Sequence, residues 1–399
     1  MKLLAIESSA DETGVAILEV TGDPTDAHFR VLGEALFSQS KIHEAYGGIY
    51  PTMAKRNHAQ NLTPLLQATL QDADLFRQAS RTLSEEELTR IDRILRREPD
   101  LATRLIELLR RIERPQVDAI AVTVGPGLEP ALWVGVNAAR VLSLLWQLPL
   151  IETNHIEGHL VSALTSPDEE GVFHLRDVAF PVTALIISGG HTDLIHLEDW
   201  GAYRYLGSTR DDALGEAYDK VARMLDLPYP GGVHIERLAA EARKQGLEAP
   251  FDLPRPMLKS GDLDFSFSGL KTATMYALKD WKREHGDELT EDDKRLFALE
   301  FENAIFDVVV LKVDQALREY GGRTLVVSGG VSASSKLRTV IRKLLEHHHP
   351  DVQLALPEPQ LSTDNAVMIG MAGALRVEHA LTPTGELSEV RANGNLRLG

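Results

Sequence analysis

The chain has 399 residues, 43% of them hydrophobic and 25% charged, the balance of an ordinary globular protein with room for two to three domains. A formal net charge of −17 excludes a surface coated in basic side chains, although a local basic groove is compatible with it. No cysteine is present, so disulfides and thiolate ligands are excluded, and any metal site has to use histidine and carboxylate.

The N-terminus turns acidic at Glu7 and Asp11, which leaves no apolar run or cleavage site for a signal peptide. The most apolar region, 119–151, is broken by Gly125, Pro126, Gly127, Pro130, Asn137 and Arg140 and cannot span a membrane. The expected location is cytoplasmic. Residues 2–8 and 14–20 read as two aliphatic strands joined by a small, hydroxylated, acidic turn from Ser8 to Gly14. Such a turn can wrap phosphate with backbone N–H groups while its carboxylates orient a metal or a substrate amine. Taken alone, it reads as an ordinary hairpin.

A third strand around 30–40 leads through Gly47-Gly48-Ile49-Tyr50-Pro51 into a helix of about 20 residues from near Thr52. Residues 75–114 read as helical and carry ten arginines against eight acids, a sign alternation expected of a solvated face. A nucleic-acid-facing role is the alternative for that segment. A buried strand at 117–124 ends in Gly125-Pro126-Gly127-Leu128, followed by a helix at 130–147, a strand at 149–152 and a helix carrying His155 and His159. Pro167-Asp168-Glu169-Glu170-Gly171 reads as the break between two lobes.

The second half begins as the first does, with a strand at 182–187, a small-residue turn from Ser188 to Thr192 and a returning strand at 193–197. This predicts an internal duplication of topology, although the letters are not repeated. Later, a strand at 324–327 feeds a helix through Gly329 and Gly330, where backbone can approach a nucleotide and a helix N-terminus favours anions. The predicted class is α/β, each lobe a mixed sheet flanked by helices, resembling the actin, Hsp70 and sugar-kinase (ASKHA) superfold with its active site between the lobes. The lobes are placed at 1–170 and 171–399, with the last helix, about 363–378, folding back toward the cleft.

His155 and His159 are four residues apart, so on a helix both imidazoles share one face and suit zinc or iron. A bare pair of this kind is more often a polar helix start, and a metal reading needs a third ligand. Asp211 and Asp212 read as acids favoured by the first turn of a helix. Asp219 lies later on that helix and can accept two ribose hydroxyls, and Pro228 to Gly232 makes a rigid turn whose glycines could contact a sugar or base. Phe265 to Thr272 alternates aromatic and hydroxyl residues, as a half-buried strand and its cap would. Asp364 opens the last helix as an N-cap-type acid and is the natural third ligand if that helix folds back. His347-His348-His349 before Pro350 reads as a solvated helix terminus.

Ten short strings then occur in series: Ser-Ala-Asp-Glu-Thr-Gly, Tyr-Gly-Gly-Ile-Tyr-Pro, Gly-Pro-Gly-Leu, His-Ile-Glu-Gly-His, Ser-Gly-Gly-His-Thr, Gly-Glu-Ala-Tyr-Asp-Lys, Tyr-Pro-Gly-Gly, Phe-Ser-Phe-Ser-Gly-Leu-Lys-Thr, Gly-Gly-Val-Ser-Ala and Ser-Thr-Asp-Asn-Ala. Together they resemble the TsaD (formerly Gcp) family of tRNA adenosine threonylcarbamoyltransferases over nearly the full chain. The resemblance implies transfer of threonylcarbamoyl from threonylcarbamoyl-adenylate to N6 of adenosine 37 in tRNAs reading codons that begin with A. It implies one divalent metal, iron or zinc, on His155, His159 and Asp364. It assigns adenylate binding to Ile186, Ile187, Ser188, Gly189, Gly190, Asp219 and Gly232, and places Asp11 and Glu12 near the reacting centre, with Asp11 as the expected proton acceptor. Ser334 stands where the family usually has a nucleotide-contacting asparagine, Ala10 and Ser362 where it often has cysteine, and Thr52 where a glutamate is common. The segment 75–114 looks longer than the usual connection. Expected partners are tRNA, a TsaB-like paralogue and a TsaE-like ATPase, with no membrane.

Three other readings compete. A zincin-type protease needs a glutamate directly after the first histidine, and Ile156 holds that place here. An actin-like ATPase or small-molecule kinase would use the same fold without the histidines. A non-catalytic scaffold would lack the metal ligands.

Overall fold

The computed structural model describes residues 1–383 and 389–399. Two compact units are present, each made of discontinuous chain: Met1–Gln39, Ile49–Asp177 and Thr363–Leu398 in the first, Ser40–Gly48 and Val178–Ser362 with Gly399 in the second. Pro167 ends a short strand and 168–171 form the turn after it, within the first unit; the chain leaves that unit after Asp177 and returns to it at Thr363.

The first unit is built on a sheet of seven strands, β1 (Lys2–Glu7), β2 (Glu12–Thr21), β3 (His28–Ser38), β4 (Ala119–Gly125), β5 (Leu150–Asn154), β6 (Thr165–Pro167) and β7 (Phe173–Leu175), in the order β5-β4-β1-β2-β3-β7-β6. β1, β4 and β5 run parallel, while β1, β2 and β3 form an antiparallel meander. After α1 (Ser40–Glu44), which belongs to the second unit, come α2 (Pro51–Asp72), α3 (Glu85–Ile94), α4 (Pro99–Leu109), α5 (Glu129–Trp146) and α6 (His155–Ala163).

Helices cover both faces of β1, so this strand is a continuous apolar run rather than an alternating one. Leu4 and Ile6 join the core under α2 and α5. The other parity, Leu3 and Ala5, meets the last helix of the chain, where Gly373 and Gly370 lie against them. Period two carries Glu7 onto that second face.

The segment 75–114 is not one helical run. Pro99 starts α4 afresh, Ser84 and Glu87 form a capping box that starts α3, and residues before it are extended, with a β-bridge between Gln78 and Ile112. Arg90 pairs with Glu86 one turn away on α3, as a solvated helical face would, whereas Arg77 and Arg81 pair with Asp74 and Glu87 from the non-helical stretch before it.

The second unit has five strands, β8 (Val182–Ile187), β9 (Thr192–Leu197), β10 (Tyr203–Ser208), β11 (Thr324–Ser328) and β12 (Gln353–Ala355), ordered β10-β9-β8-β11-β12. That order and its parallel and antiparallel senses repeat β3-β2-β1-β4-β5 of the first unit. The predicted duplication is therefore real at the level of topology. Its helices are α7 (Leu214–Met224), α8 (Gly231–Gln245), α9 (Ser268–His285), α10 (Glu291–Tyr320) and α11 (Ser335–His348). Phe297, Phe301, Ile305 and Val309 of α10 fill one core with Leu214, Val221, Ile235 and Leu238 from α7 and α8. α12 (Ala366–Leu375) then packs on the first unit's sheet and on α6. Among the described residues no helix is long and apolar enough to cross a membrane.

Candidate metal centre and nucleotide turns

Asn154 ends β5 and caps α6, its side-chain oxygen accepting the N–H groups of Ile156 and Glu157. The helix that follows is buried all round, an unusual setting for two imidazoles. Gly158 sits between them. A Cβ there would meet Met368 Cγ and Ile369 Cδ1 at 3.1 Å, so glycine lets α12 lie close against α6. That approach brings Asp364, just before α12, to the histidines.

Asp364 Oδ1 lies 3.0 Å from His159 Nε2 and 3.5 Å from His155 Nε2. One ligand atom from each of the three residues lies within 4.8 Å of the others. The edge of a tetrahedron with ~2.0 Å metal–nitrogen bonds is about 3.3 Å, so these separations suit one first-row cation with little movement. The imidazole rings stand edge to face, with centroids 4.7 Å apart. Two histidines and one carboxylate serve both catalytic zinc and non-haem iron, so this donor set does not choose between them.

Asp364 is not the cap of the last helix. Asn365 takes that role, accepting the Met368 N–H, which leaves the Asp364 carboxylate to the histidines. Asp211 and Asp212 also depart from the expected capping of their own helix, since α7 begins at Leu214 without a side-chain cap. Asp211 instead accepts from Ser266, Ser268 and the Phe267 N–H, tying down the entry to α9. Asp212 pairs with Lys220 and Lys271. In both cases a partner distant in sequence outbids the local macrodipole.

Behind His155 lies Glu7, fully buried and absent from the sequence-based set of candidates. Its carboxylate accepts from the Ser9 N–H and the Thr123 hydroxyl, and Oε2 lies 3.3 Å from His155 Nδ1. The available signal was a carboxylate ending a wholly apolar strand. Burial works against its ionisation, but His155 outweighs it and holds Glu7 below the usual carboxylate range. For His155, burial alone would lower the pKa; Asp364 and Glu7 reverse this and push it up to about 9. The surroundings thus favour positive charge at the ring, which a divalent cation meets as well as a proton does.

Asp11 ends the turn and Glu12 opens β2. Burial, then Asp11 and Asp364, raise Glu12 well above the ordinary range, and Ser38 donates to it at 2.9 Å. The like charge of Asp11 is, after burial, the largest cause of that rise.

In the second unit, the Ser188 turn closes on itself: Ser188 N–H donates to His191 O at 2.9 Å, and Ser188 Oγ accepts the His191 N–H at 3.1 Å. Ile186 and Ile187 are fully buried, whereas Gly189 and Gly190 are exposed with open space around them. Gly215, near the start of α7, lies against this turn, and a Cβ there would meet Ser188 O at 2.7 Å. The turn after β11 lies beside it, because β8 and β11 are paired up to Ile186 and Ser328. Asp219 Oδ1 accepts the Gly231 N–H at 2.7 Å, and a Cβ on Gly232 would meet open space. Ser334 caps α11, accepting from Leu337 and donating to Glu236, so its hydroxyl is already engaged. At the other end of α11, His347 and His349 bond to Lys343 O and Asp314, as a plain helix terminus would.

The five strands of the second unit repeat the order of five of the seven in the first, and each set opens on a tight hairpin, which is the actin-like ASKHA fold. The fold resembles that of HypF in its phosphate- and nucleotide-bound form, with a TM-score of 0.50 at 11% identity over 95% of this chain and 55% of HypF. The family model for TsaD, tRNA N6-adenosine threonylcarbamoyltransferase, matches residues 30–80 and 101–371. Relatives of that name are 39% identical in Methylobacillus flagellatus, over 95% of this chain and 94% of the relative, and 40% identical in Nitrosomonas europaea, over 95% and 93%. A third, from Anoxybacillus flavithermus, is 36% identical over 100% of this chain and 97% of its own. The chain belongs to the TsaD family. The family match passes over 81–100, where α3 and the break before α4 lie.

Proposed function

We propose that this chain transfers the threonylcarbamoyl group of threonylcarbamoyl-adenylate to N6 of adenosine 37 in tRNAs reading codons that begin with A. The observation that carries the reading is the meeting of His155, His159 and Asp364 in a chain of this family, since a kinase or a scaffold has no need of that set. A divalent iron or zinc ion on these three residues would supply a positive centre to hold and polarise the donor.

The chain's own residues do the rest. An adenine amine is a weak nucleophile because its lone pair is delocalised into the ring, so it has to be positioned and relieved of a proton as it attacks. As the N6–carbon bond forms, the carbonyl's bond to the adenylate phosphate oxygen breaks, AMP leaves, and the N6 proton passes to Asp11. Beside Asp11, the proposed acceptor, the Glu12 carboxyl is pushed well up by burial, Asp11 and Asp364. Backbone from Ile186 to Gly190, with Asp219 and Gly232, holds the adenylate, the glycines letting phosphate and sugar come close. Ser334 adds little to this, because capping α11 already uses it. An anticodon-loop base can be splayed out without opening a duplex, which suits a buried reacting centre. We place the reaction in the cytoplasm, with a TsaB-like paralogue and a TsaE-like ATPase as partners.

The test is incubation of the full chain with threonylcarbamoyl-adenylate, tRNA and those two partners, followed by nucleoside analysis. N6-threonylcarbamoyladenosine at adenosine 37 is the expected product. Its absence, with donor consumed only by hydrolysis, would overturn the reading.

A further inference from the structure

Glu7 takes no part in the scheme above, yet it is a wholly buried carboxylate at the end of a central strand. A charge in that position is costly unless every lone pair is used. Here the use is specific. Oε1 accepts the Ser9 N–H, and Oε2 accepts the hydroxyl of Thr123, which the parallel strand β4 presents on the same face. Oε2 also lies 3.3 Å from His155 Nδ1, and Ser9 Oγ lies 3.2 Å from that nitrogen. The opposite ring nitrogen, Nε2, is the one turned to Asp364, at 3.5 Å.

A neutral imidazole carries one proton, on one nitrogen or the other. An ionised carboxylate only accepts, so beside Glu7 the proton belongs on Nδ1, and the Nε2 lone pair is left facing Asp364 and His159. We infer that Glu7 is a positioning residue, which fixes the tautomer and the ring plane of His155 so that Nε2 is presented as a metal ligand. The inference rests on the metal reading of the proposed function. Glutamine would fit the same space, but its amide N–H2 would face one of the donors at this site, either the Ser9 N–H or the pair formed by Thr123 and His155. Ser9 Oγ touches the same nitrogen but can donate as well as accept, so it does not select a tautomer.

The test uses the full chain and Co2+ as a spectroscopic probe, with affinity read by chelator competition. Glu7→Gln is expected to bind Co2+ ~10–100-fold more weakly and to change the visible band shape, while circular dichroism and Tm report an intact fold. Ser9→Ala is expected to stay within about threefold of wild type, a smaller effect than loss of an outer-sphere carboxylate. A Glu7→Gln chain that folds and binds Co2+ with wild-type affinity and spectrum overturns the role of Glu7 while leaving the metal reading intact. A wild-type chain that binds no Co2+ overturns both. A measurement independent of any variant is the histidine nitrogen spectrum of the zinc-loaded wild-type chain. His155 with its proton on Nδ1 and zinc on Nε2 supports the inference, and the reverse assignment overturns it.

Discussion

The turn between β1 and β2 is buried and acidic: Ser8 and Ser9 are at most 1% exposed, Asp11 is 8% exposed, and Glu7 and Glu12 flank them. The turn between β8 and β9 has the same topological place, yet it is built from Ser188, Gly189 and Gly190, with both glycines open to solvent. One hairpin offers fixed negative charge; the other offers backbone N–H groups and space. A duplicated fold has thus kept its strand order while the two turns diverged in chemistry. The first suits a cation and a proton, the second an anion held by main chain. The second unit does keep a buried carboxylate, Glu302, but on α10 and paired with Arg243 rather than in its hairpin.

The comparison can be broken most severely at the first turn's metal side. His159→Ala is expected to reduce metal affinity by more than the ~10–100-fold that loss of an outer partner costs, and to take transfer to background. Metal analysis together with nucleoside analysis checks this, and full metal content would refute the division of labour. Next in size is Asp11→Asn, expected to lower kcat by ~10²–10⁴ with donor and tRNA saturating, and to leave metal content unchanged. Full transfer by that variant would remove Asp11 as proton acceptor.

A third prediction concerns Glu302. Burial raises it to about 7 from an ordinary 4.5, against the opposing pull of Arg243, with Glu236 and Lys336 also acting on it. Because the fold favours the neutral acid, this contribution to stability is complete below pH 4.5 and is lost as pH rises through about 7. Its full size is about 3 kcal/mol by linkage. In Glu302→Gln that slope of stability against pH should vanish, which denaturant melts of both chains across this window would measure. The smallest effect is expected from Gly215→Ala, whose new methyl would press on Ser188 O. It should cost ~1–3 kcal/mol in overpacking and weaken adenylate binding without altering metal content. Unchanged adenylate affinity would mean that the second turn is not the anion site.

Much of this was legible from residue order. The aliphatic runs located β1, β2, β4, β8 and β11, and the HxxxH spacing located α6, because periodicity is a local property. Local rules failed where a distant partner competed for the same side chain. Asp211 and Asp364 both look like caps, yet Ser266, Ser268 and the Phe267 N–H claim the first, and His155 and His159 the second. Within 75–114, read as helical from its charge alternation, Pro99 starts a second helix and the residues before Ser84 are not helical. Glu7 was overlooked because a single carboxylate at a strand end has no motif.

By itself the sequence determined where the main aliphatic strands and the histidine helix lie, that any metal would rest on nitrogen and oxygen, and which family the strings resemble. Tertiary structure alone decided that the chain returns to its first unit after Ser362, that Asn365 rather than Asp364 caps α12, and that Glu7 stands behind His155. The physical reason is one of range. Hydrophobic period and capping preference act over a few residues, whereas a buried charge settles against whichever partner the packed sheet and helices bring within ~3 Å of it.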